Sequence, residues 1–397
     1  MTMQKQNKHT IRHLKDLQAL PLNLKVKLTK QRIREWVSHW GQEGVYVSFS
    51  GGKDSTVLLH LVREMYPDVP GVFVDTGLEY PEIRQFVRTF DNIIWLKPKM
   101  NFRQVIEKYG YPFISKEVSE CAYGARKYLT EIMSETNVVD RQTDRHLIPI
   151  GTEELQELAN TLNEKMLNRQ GGQNQRLAIM LGMLTRDKDH PVQVNIPSRD
   201  RSQYSMKKYE FLLESPFSVS NKCCGVMKKA PAHAYFRETG RVPITAQMAS
   251  ESRLRTQKWI QNGCNAFDLK IPISNPMSFW TEQDVLLYIH MNKLPIASVY
   301  GEIVKDTEVA EQLDLADMGL FDQYIPVLKT TGCSRTGCVF CGFGCHLEPE
   351  GEGRFERLKI THPKIYDYIM RPWEDGGLNY KEVIDWMNEN GNLHIRY

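Results

Sequence analysis

The period of the apolar positions changes several times along the chain. Ile33, Trp36, Val37 and Trp40 recur at helical spacing, so residues 1 to about 40 are expected as helices. A different rhythm starts at Val45. Short apolar runs at Val45 to Phe49, Gly71 to Asp75 and Asn92 to Leu96 alternate with amphipathic stretches at Thr56 to Met65 and Pro81 to Phe90. Buried strands alternating with helices predict an α/β fold, a parallel sheet of about five or six strands sandwiched by helices. From about Ser115 to Gln203 the sequence is polar and helix-favouring, notably Glu153 to Leu167 and Asn174 to Met183, and reads as a helical insertion with a turn at Gly171-Gly172-Gln173. Core-like sequence returns as a strand at Pro243 to Ala249 and as a helix within Trp280 to Asn292, where Thr281 is the expected N-cap and Asp284 lies in the first turn. An acidic excursion covers Glu302 to Gln323, and the aromatic-rich tail Pro363 to Tyr397 is expected to pack on the core. The expected division is N-terminal helices 1–40, a first core part 41–114, a helical insertion 115–210, a second core part 211–346 and a tail 347–397.

Composition narrows the class. The formal net charge is +3, too small to make the whole surface a polyanion-binding one, although Lys5, Lys8, Arg12, Lys15, Lys25, Lys27, Lys30, Arg32 and Arg34 make the start of the chain locally basic. That run suits a solvated helix face better than a nucleic-acid arm. The polar N-terminus and the absence of an apolar run near about 18 residues point away from a signal peptide or membrane span, so a cytoplasmic location and no membrane partner are expected. Eight cysteines in a reducing compartment are read for metal or catalysis, not disulfides.

The densest chemistry lies in Val45-Tyr-Val-Ser-Phe-Ser-Gly-Gly-Lys-Asp-Ser-Thr56, where a strand passes through two glycines into a helix. Gly51 and Gly52 permit a tight turn and close backbone approach, and the N–H groups that follow occupy a helix N-terminus, which attracts anions. Lys53 adds a positive charge, and Ser48, Ser50, Ser55 and Thr56 add hydroxyls. The spacing differs from Walker A, which needs four residues between its glycines. In a parallel sheet ligands sit at the carboxyl ends of strands, so Asp75 and Thr76, after the second strand, should face the same crevice.

Cysteine spacing is the second signal. Adjacent Cys223 and Cys224 with the distant Cys338-Val-Phe-Cys341 can supply four sulfurs to a [4Fe–4S] cluster, and adjacent cysteines are unusual for tetrahedral zinc. Gly337 and Gly342 flank the C-x-x-C and are read as permitting its turn. Cys333, Cys338, Cys341 and Cys345 form an alternative local set for a cluster or zinc. Under the first assignment Cys345 is a candidate reactive thiol or a buried small apolar residue. Cys121 and Cys264 read as packing residues.

The glycine loop together with Cys-Cys and a distant C-x-x-C resembles the phosphoadenosine phosphosulfate (PAPS) reductase family of the N-type ATP pyrophosphatase (PP-loop) superfamily, in its iron–sulfur branch. Phe73-Val-Asp-Thr-Gly-Leu-Glu-Tyr-Pro-Glu82 is similar to the family's second strand and turn, and Trp280-Thr-Glu-Gln-Asp284-Val with Pro295 and Tyr300 resembles its W-x-x-x-D-V segment. The resemblance implies an adenine nucleotide alpha hydrolase-like fold and an adenine nucleotide ligand. Glu251, Ser252, Arg253 and Arg255 fall where the family has its anion-binding segment, with Ala246 and Met248 in place of the usual Gly and first Arg. The chain also departs from the family at its end: no cysteine follows Cys345, whereas thioredoxin-dependent reductases carry a C-terminal nucleophilic one.

These readings imply an enzyme that binds ATP with Mg2+ and adenylates an acceptor, releasing pyrophosphate, coupled to sulfur transfer through a [4Fe–4S] cluster or Cys345. Lys53 and Arg253 would act on phosphate charge while Asp54 and Asp75 position metal or nucleotide. The alternatives are a sulfonucleotide reductase giving sulfite from PAPS or adenylylsulfate, with Cys345 as nucleophile, and a non-catalytic nucleotide- or nucleic-acid-binding subunit. Candidate partners are a sulfur-donor protein or thioredoxin-like reductant, a nucleic-acid acceptor, and a second copy of the chain.

Overall fold

The computed structural model describes residues 7–135, 160, 172–182, 184–185, 193–194, 205–306 and 327–397. Its strands are β1 (Val45–Ser48), β2 (Gly71–Val74), β3 (Ile93–Leu96), β4 (Phe113–Ile114), β5 (Leu184–Thr185), β6 (Gln193–Val194), β7 (Val242–Ile244), β8 (Asn265–Ala266), β9 (Ile273–Ser274), β10 (Ile303–Lys305), β11 (Leu328–Thr330) and β12 (Gly342–Phe343). The chain divides into two compact units, one of Met1–Lys99 with Lys228–Val339 and the other of Met100–Met227 with Phe340–Tyr397. These boundaries differ from the expected ones, and the last falls inside the C-x-x-C, after Val339.

The first unit holds a six-stranded sheet in the order β3-β2-β1-β7-β9-β8. Every adjacent pair is parallel except β8 with β9, so the sheet matches the mostly parallel α/β fold expected from the alternating pattern. The chain builds outward from β1 through β2 to β3, then returns to the other side of β1 with β7. That reversal makes the carboxyl end of β1 a topological switch point, where neighbouring loops diverge and leave a crevice. Val45 and Val47 are fully buried in β1, and Val57, Leu58, Leu61 and Val62 are fully buried in the following helix, Lys53–Arg63. A helix so apolar along its length is anchored by burial and not by its own propensity.

A short helix, Ile11–Gln18, and a long one, Leu22–Trp40, occupy the expected N-terminal region, and Ile33 and Trp36 have no exposed surface. Thr281 caps the helix Glu282–Asn292 in a reciprocal box with Asp284, as its position in sequence predicts. Several boundaries differ from the sequence reading, three of them for a visible local reason. The helix after the glycines starts at Lys53 instead of Thr56, because Gly52 serves as its N-cap; helix Pro81–Val87 ends before Phe90, where Thr89 turns back to bond the Phe86 carbonyl; β7 ends at Ile244, and residues 249–251 form a 3-10 turn.

In the second unit, helix Phe102–Tyr109 begins with a capping box between Asn101 and Gln104, and β4 pairs in parallel with β12. Helix Lys116–Glu135 packs against helix Gly172–Met180, which starts within the Gly171-Gly172-Gln173 break. Apart from Asn160, the expected helix at Glu153 to Leu167 lies outside the described residues, as does most of the acidic excursion. The tail folds as helices Pro363–Met370 and Tyr380–Gly391 and buries Leu378, Tyr380, Val383 and Ile384. Among the described residues no helix is long and apolar enough to cross a membrane.

Candidate functional site

In the first unit β1 delivers the chain into a loop at the switch point, and the loop's shape follows from Gly51. Its φ of +72° is the left-handed conformation that glycine adopts without strain, and a Cβ there would lie 2.7 Å from Val87 Cγ2 and 2.9 Å from Ile83 Cγ2. Hydroxyls then brace the turn from within. The Ser50 N–H donates to Ser55 Oγ at 3.2 Å, the two serine hydroxyls are 3.0 Å apart, and Ser55 and Thr56 donate to the Gly52 carbonyl at 2.9 and 3.1 Å. These serines and Thr56 therefore shape the cradle as well as offering bonds to a ligand. The first intrahelical bond is Thr56 N–H to Gly52 O, which leaves the preceding N–H groups at the positive end of the helix dipole. One of them, that of Lys53, is met by the Tyr300 hydroxyl at 3.2 Å, itself 2.6 Å from Thr336 Oγ1.

Lys53 is 4% exposed in its side chain, and its ammonium reaches Glu282 Oε1 at 3.0 Å, the Ser334 carbonyl at 3.1 Å and Asp54 Oδ1 at 3.6 Å. Burial works against its charge, but Asp54 and Glu282 outweigh burial and raise its pKa. Burial also pushes the Asp54 carboxyl up; Lys53 opposes that rise and Glu282 adds to it. Two arginines complete the charge on this side. Glu251 bridges Arg255 and Arg335 and accepts the Met248 N–H at 2.9 Å, and burial with the neighbouring Arg335 lowers the Arg255 pKa. Ser252 caps helix Arg253–Asn262 by accepting from Arg255 N at 3.3 Å, while Arg253 is exposed.

Beside this loop a cavity of about 160 Å3 opens along the ends of β1 and β2, lined by Ser48, Ser50, Val74, Glu79, Lys228 and Thr336 among others. Asp75, at the end of β2, is held by Arg84 at 2.8 Å and accepts from Gly77 N at 3.3 Å; the Thr76 hydroxyl donates to Glu79 at 2.7 Å. Asp75 and Thr76 thus order the rim. The structure brings Ser48, Ser50, Gly51, Gly52, Lys53, Asp54, Ser55, Thr56, Asp75 and Thr76 to one end of the sheet, and electrostatic coupling of Asp54 to Arg335 and of Arg255 to Asp54 ties the anion segment to the same end. Sequence reasoning missed Glu282, Tyr300 as a loop contact, Arg335 and Thr336. Tyr300 lay in a motif already noted; nothing in the local pattern around Ser334-Arg335-Thr336 marks it as covering the loop.

The second unit gathers thiols. Cys341 and Cys224 interact, Cys341 and Cys345 interact, and the buried Tyr380 hydroxyl, which donates to the Phe340 carbonyl at 2.6 Å, lies in the field of Cys341, Cys223 and Cys345. Arg354 donates to the Cys341 carbonyl at 2.8 Å and is paired with Glu348. Gly342 serves close packing more than turn geometry: an added Cβ would sit 2.4 Å from Phe113 Cδ1. Cys345 is 3% exposed, its Sγ donates to the Gly342 carbonyl at 2.8 Å, and burial pushes its thiol up to about 12, so it is held protonated at neutral pH. Cys333 and Cys338 belong to the other unit, so both proposed four-cysteine sets draw on both units. None of the eight cysteines forms a disulfide, and Cys121 and Cys264 are buried. The donors are all sulfur, a chemistry suited to iron–sulfur ligation, but among the described residues no three His, Cys, Asp or Glu side chains are gathered into a preformed metal cage.

The phosphoadenosine phosphosulfate reductase domain model matches residues 44–148 and 157–342. A PAPS reductase of Xylella fastidiosa is 33% identical over 87 residues, 22% of this chain and 36% of that protein. One from Xanthomonas oryzae pv. oryzae is 30% identical over 95 residues, 24% of this chain and 39% of that protein. An uncharacterised protein of Methanocaldococcus jannaschii is 40% identical over 73 residues, 17% of this chain and 18% of its own length. The chain thus spans well under half the length of these relatives. A crystal structure of PAPS reductase from Candida auris in complex with phosphate aligns with 80% of this chain and 98% of that one at 14% identity, with a TM-score of 0.32, too low to support a structural inference.

Proposed function

The chain belongs to the phosphoadenosine phosphosulfate reductase family, and we propose that it uses the switch-point loop to bind ATP and adenylate an acceptor, releasing pyrophosphate, in a reaction coupled to sulfur transfer. The observation that carries this reading is the complete loop: a glycine turn, a helix N-terminus and the buried Lys53, enough positive potential for a polyphosphate chain. A sulfonucleotide offers no β- and γ-phosphates to use it.

An acceptor oxygen attacks the α-phosphorus and the bond to the pyrophosphate oxygen breaks, with its electron pair leaving on pyrophosphate. Lys53 and the loop N–H groups would meet the charge that grows on the departing oxygens, and Arg253, exposed at the start of helix Arg253–Asn262, would add its guanidinium to the same phosphates. Mg2+ would accompany the nucleotide, with Asp54 and Asp75 on its side of the site. Cys223, Cys224, Cys338 and Cys341 would hold a [4Fe–4S] cluster, which when bound supplies electron-rich sulfur and iron chemistry for the sulfur-transfer half.

The names of the bacterial relatives favour a second reading, reduction of PAPS to sulfite with a thioredoxin-like reductant. It requires Cys345 as nucleophile, and the burial of that thiol weighs against it. The two separate in one experiment. Anaerobically purified protein, assayed for iron and sulfide, is given labelled ATP or labelled PAPS. Pyrophosphate from ATP supports adenylation, whereas sulfite from PAPS that disappears in Cys345→Ser replaces it with reduction.

A further inference from the structure

We infer that Glu282 is the latch of the phosphate loop: a positioning residue that holds the Lys53 ammonium while the loop is empty and gives it up to an incoming polyphosphate. This rests on the reading of the loop as a polyphosphate site and adds the residue that controls it.

The argument begins with the lysine. An ammonium with 4% exposure needs partners, and Lys53 has three acceptors in reach, Glu282, the Ser334 carbonyl and Asp54. The three are not equivalent. Ser334 offers a backbone carbonyl, which cannot withdraw without moving its chain, and Asp54 is the more distant carboxylate at 3.6 Å and the less exposed, 28% against 48% for Glu282. Glu282 reaches in from another helix, and its side chain is 48% exposed. Its carboxylate can turn into water at little cost, whereas Lys53 cannot.

The backbone under Glu282 is fixed, which confines the motion to the side chain. Thr281 N–H donates to Asp284 Oδ2 at 2.7 Å, and the same carboxylate is paired at 2.7 Å with Lys25, whose side chain is 3% exposed. Trp280, fully buried, donates its indole N–H to Thr29 Oγ1 at 2.9 Å. Glu282 is therefore the first residue of a pinned helix with a side chain free to swing.

Charge supplies the reason for exchange. Lys53 with Asp54 and Glu282 sums to one net negative charge when all are ionised, which repels a phosphate. Rotation of Glu282 away removes that surplus and frees one of the lysine's hydrogen-bond positions for a phosphate oxygen. Glu282 thereby gives the buried ammonium a second carboxylate partner, and ligand binding includes the displacement of that carboxylate.

The test is calorimetric titration of the full-length protein with inorganic pyrophosphate and with Mg-ATP, comparing wild type, Glu282→Gln, Lys53→Met and the double variant. Thermal unfolding of each accompanies the titrations. Glu282→Gln keeps shape and hydrogen bonding but removes the competing charge, so pyrophosphate should bind on the order of 3- to 10-fold tighter than to wild type. In the Lys53→Met background, followed at millimolar pyrophosphate, the same change should have no such effect, which a merely structural Glu282 would not reproduce. Unchanged or weaker binding by a folded Glu282→Gln, while wild type binds normally, overturns the latch and leaves the polyphosphate reading standing. If wild type binds neither pyrophosphate nor Mg-ATP, the polyphosphate reading itself is wrong and the latch falls with it.

Discussion

The phosphate loop of the first unit and the thiol group of the second are both small polar sites in apolar surroundings, but they are assembled in different ways. The loop consists of consecutive residues, from Ser48 to Thr56, and its form comes from one left-handed glycine, one helix start and hydroxyls that bond within the turn. The thiol group draws Cys223 and Cys224 to Cys341 and Cys345, more than a hundred positions away, through the pairing of β4 with β12 and the packing of aromatic rings around Tyr380. A local site fails when its backbone is disturbed. A site gathered from afar fails when the packing that gathers it is loosened. The charges follow the same division: the loop's cation is countered by neighbours that raise its pKa, while burial keeps the Cys341 and Cys345 thiols protonated.

The comparison can be broken first at Lys53. Lys53→Ala should lower pyrophosphate release from ATP by about 100-fold or more, with far-ultraviolet circular dichroism unchanged, because it removes charge aimed at the leaving group. Retained turnover would mean that the loop is not where the chemistry occurs. Next comes Gly51→Ala, which places a side chain at φ +72° and within 2.7 Å of Val87; we expect a loss of about 2 kcal/mol in urea unfolding together with lost nucleotide binding. Gly337→Ala, in the lining of the cavity beside the loop but at a position whose added Cβ meets nothing within 4 Å, is the matched control within the same unit and should change stability little. An equal effect at the two glycines would mean that the left-handed turn and close packing at Gly51 do not set the loop's form.

Tyr380→Phe probes the second unit. It leaves the ring packing and removes the hydroxyl from the Phe340 carbonyl, so the cost should be about 1 kcal/mol, and Cys341 and Cys345 should react faster with a small thiol reagent while pyrophosphate affinity stays constant. The smallest effect is one of pH in the first unit, away from the loop. His9 stacks on Trp259 with ring centroids 4.7 Å apart, its Nδ1 is 3.2 Å from that of His13, and burial, then His13, Arg32 and Lys8, lower its pKa. Because the folded state binds this proton less tightly than the unfolded chain, its contribution is fully present above the unfolded value of 6.5 and is lost as pH falls below it. Thermal unfolding midpoints should therefore drop slightly more for wild type than for His9→Gln between neutral pH and pH about 5.5. Parallel profiles would remove His9 from the account.

Much of the architecture could be read from the chain because its signals are local. A strand of four or five apolar residues, a pair of glycines and a capping box each depend on neighbours within a few positions, so β1, β2, β3, the Thr281 cap and the loop were legible as written. Helix ends were less so. The true start at Lys53 depends on the φ of Gly51, and the end at Val87 on a threonine turning back, neither of which alters hydrophobic periodicity. Glu282 and Arg335 were invisible as parts of the site because nothing near them in sequence announces that they approach Lys53 and Glu251.

The amino-acid sequence by itself determined the kind of fold and the phosphate cradle, since alternating short strands and helices leave few other ways to bury their apolar faces and Gly51-Gly52 admits a turn that larger residues resist. Only the tertiary structure decided which carboxylates hold the lysine, which arginines share Glu251, and that the C-x-x-C is divided between two units. Charge pairing and desolvation depend on distances through space, and residues hundreds of positions apart carry no mark of their eventual neighbour.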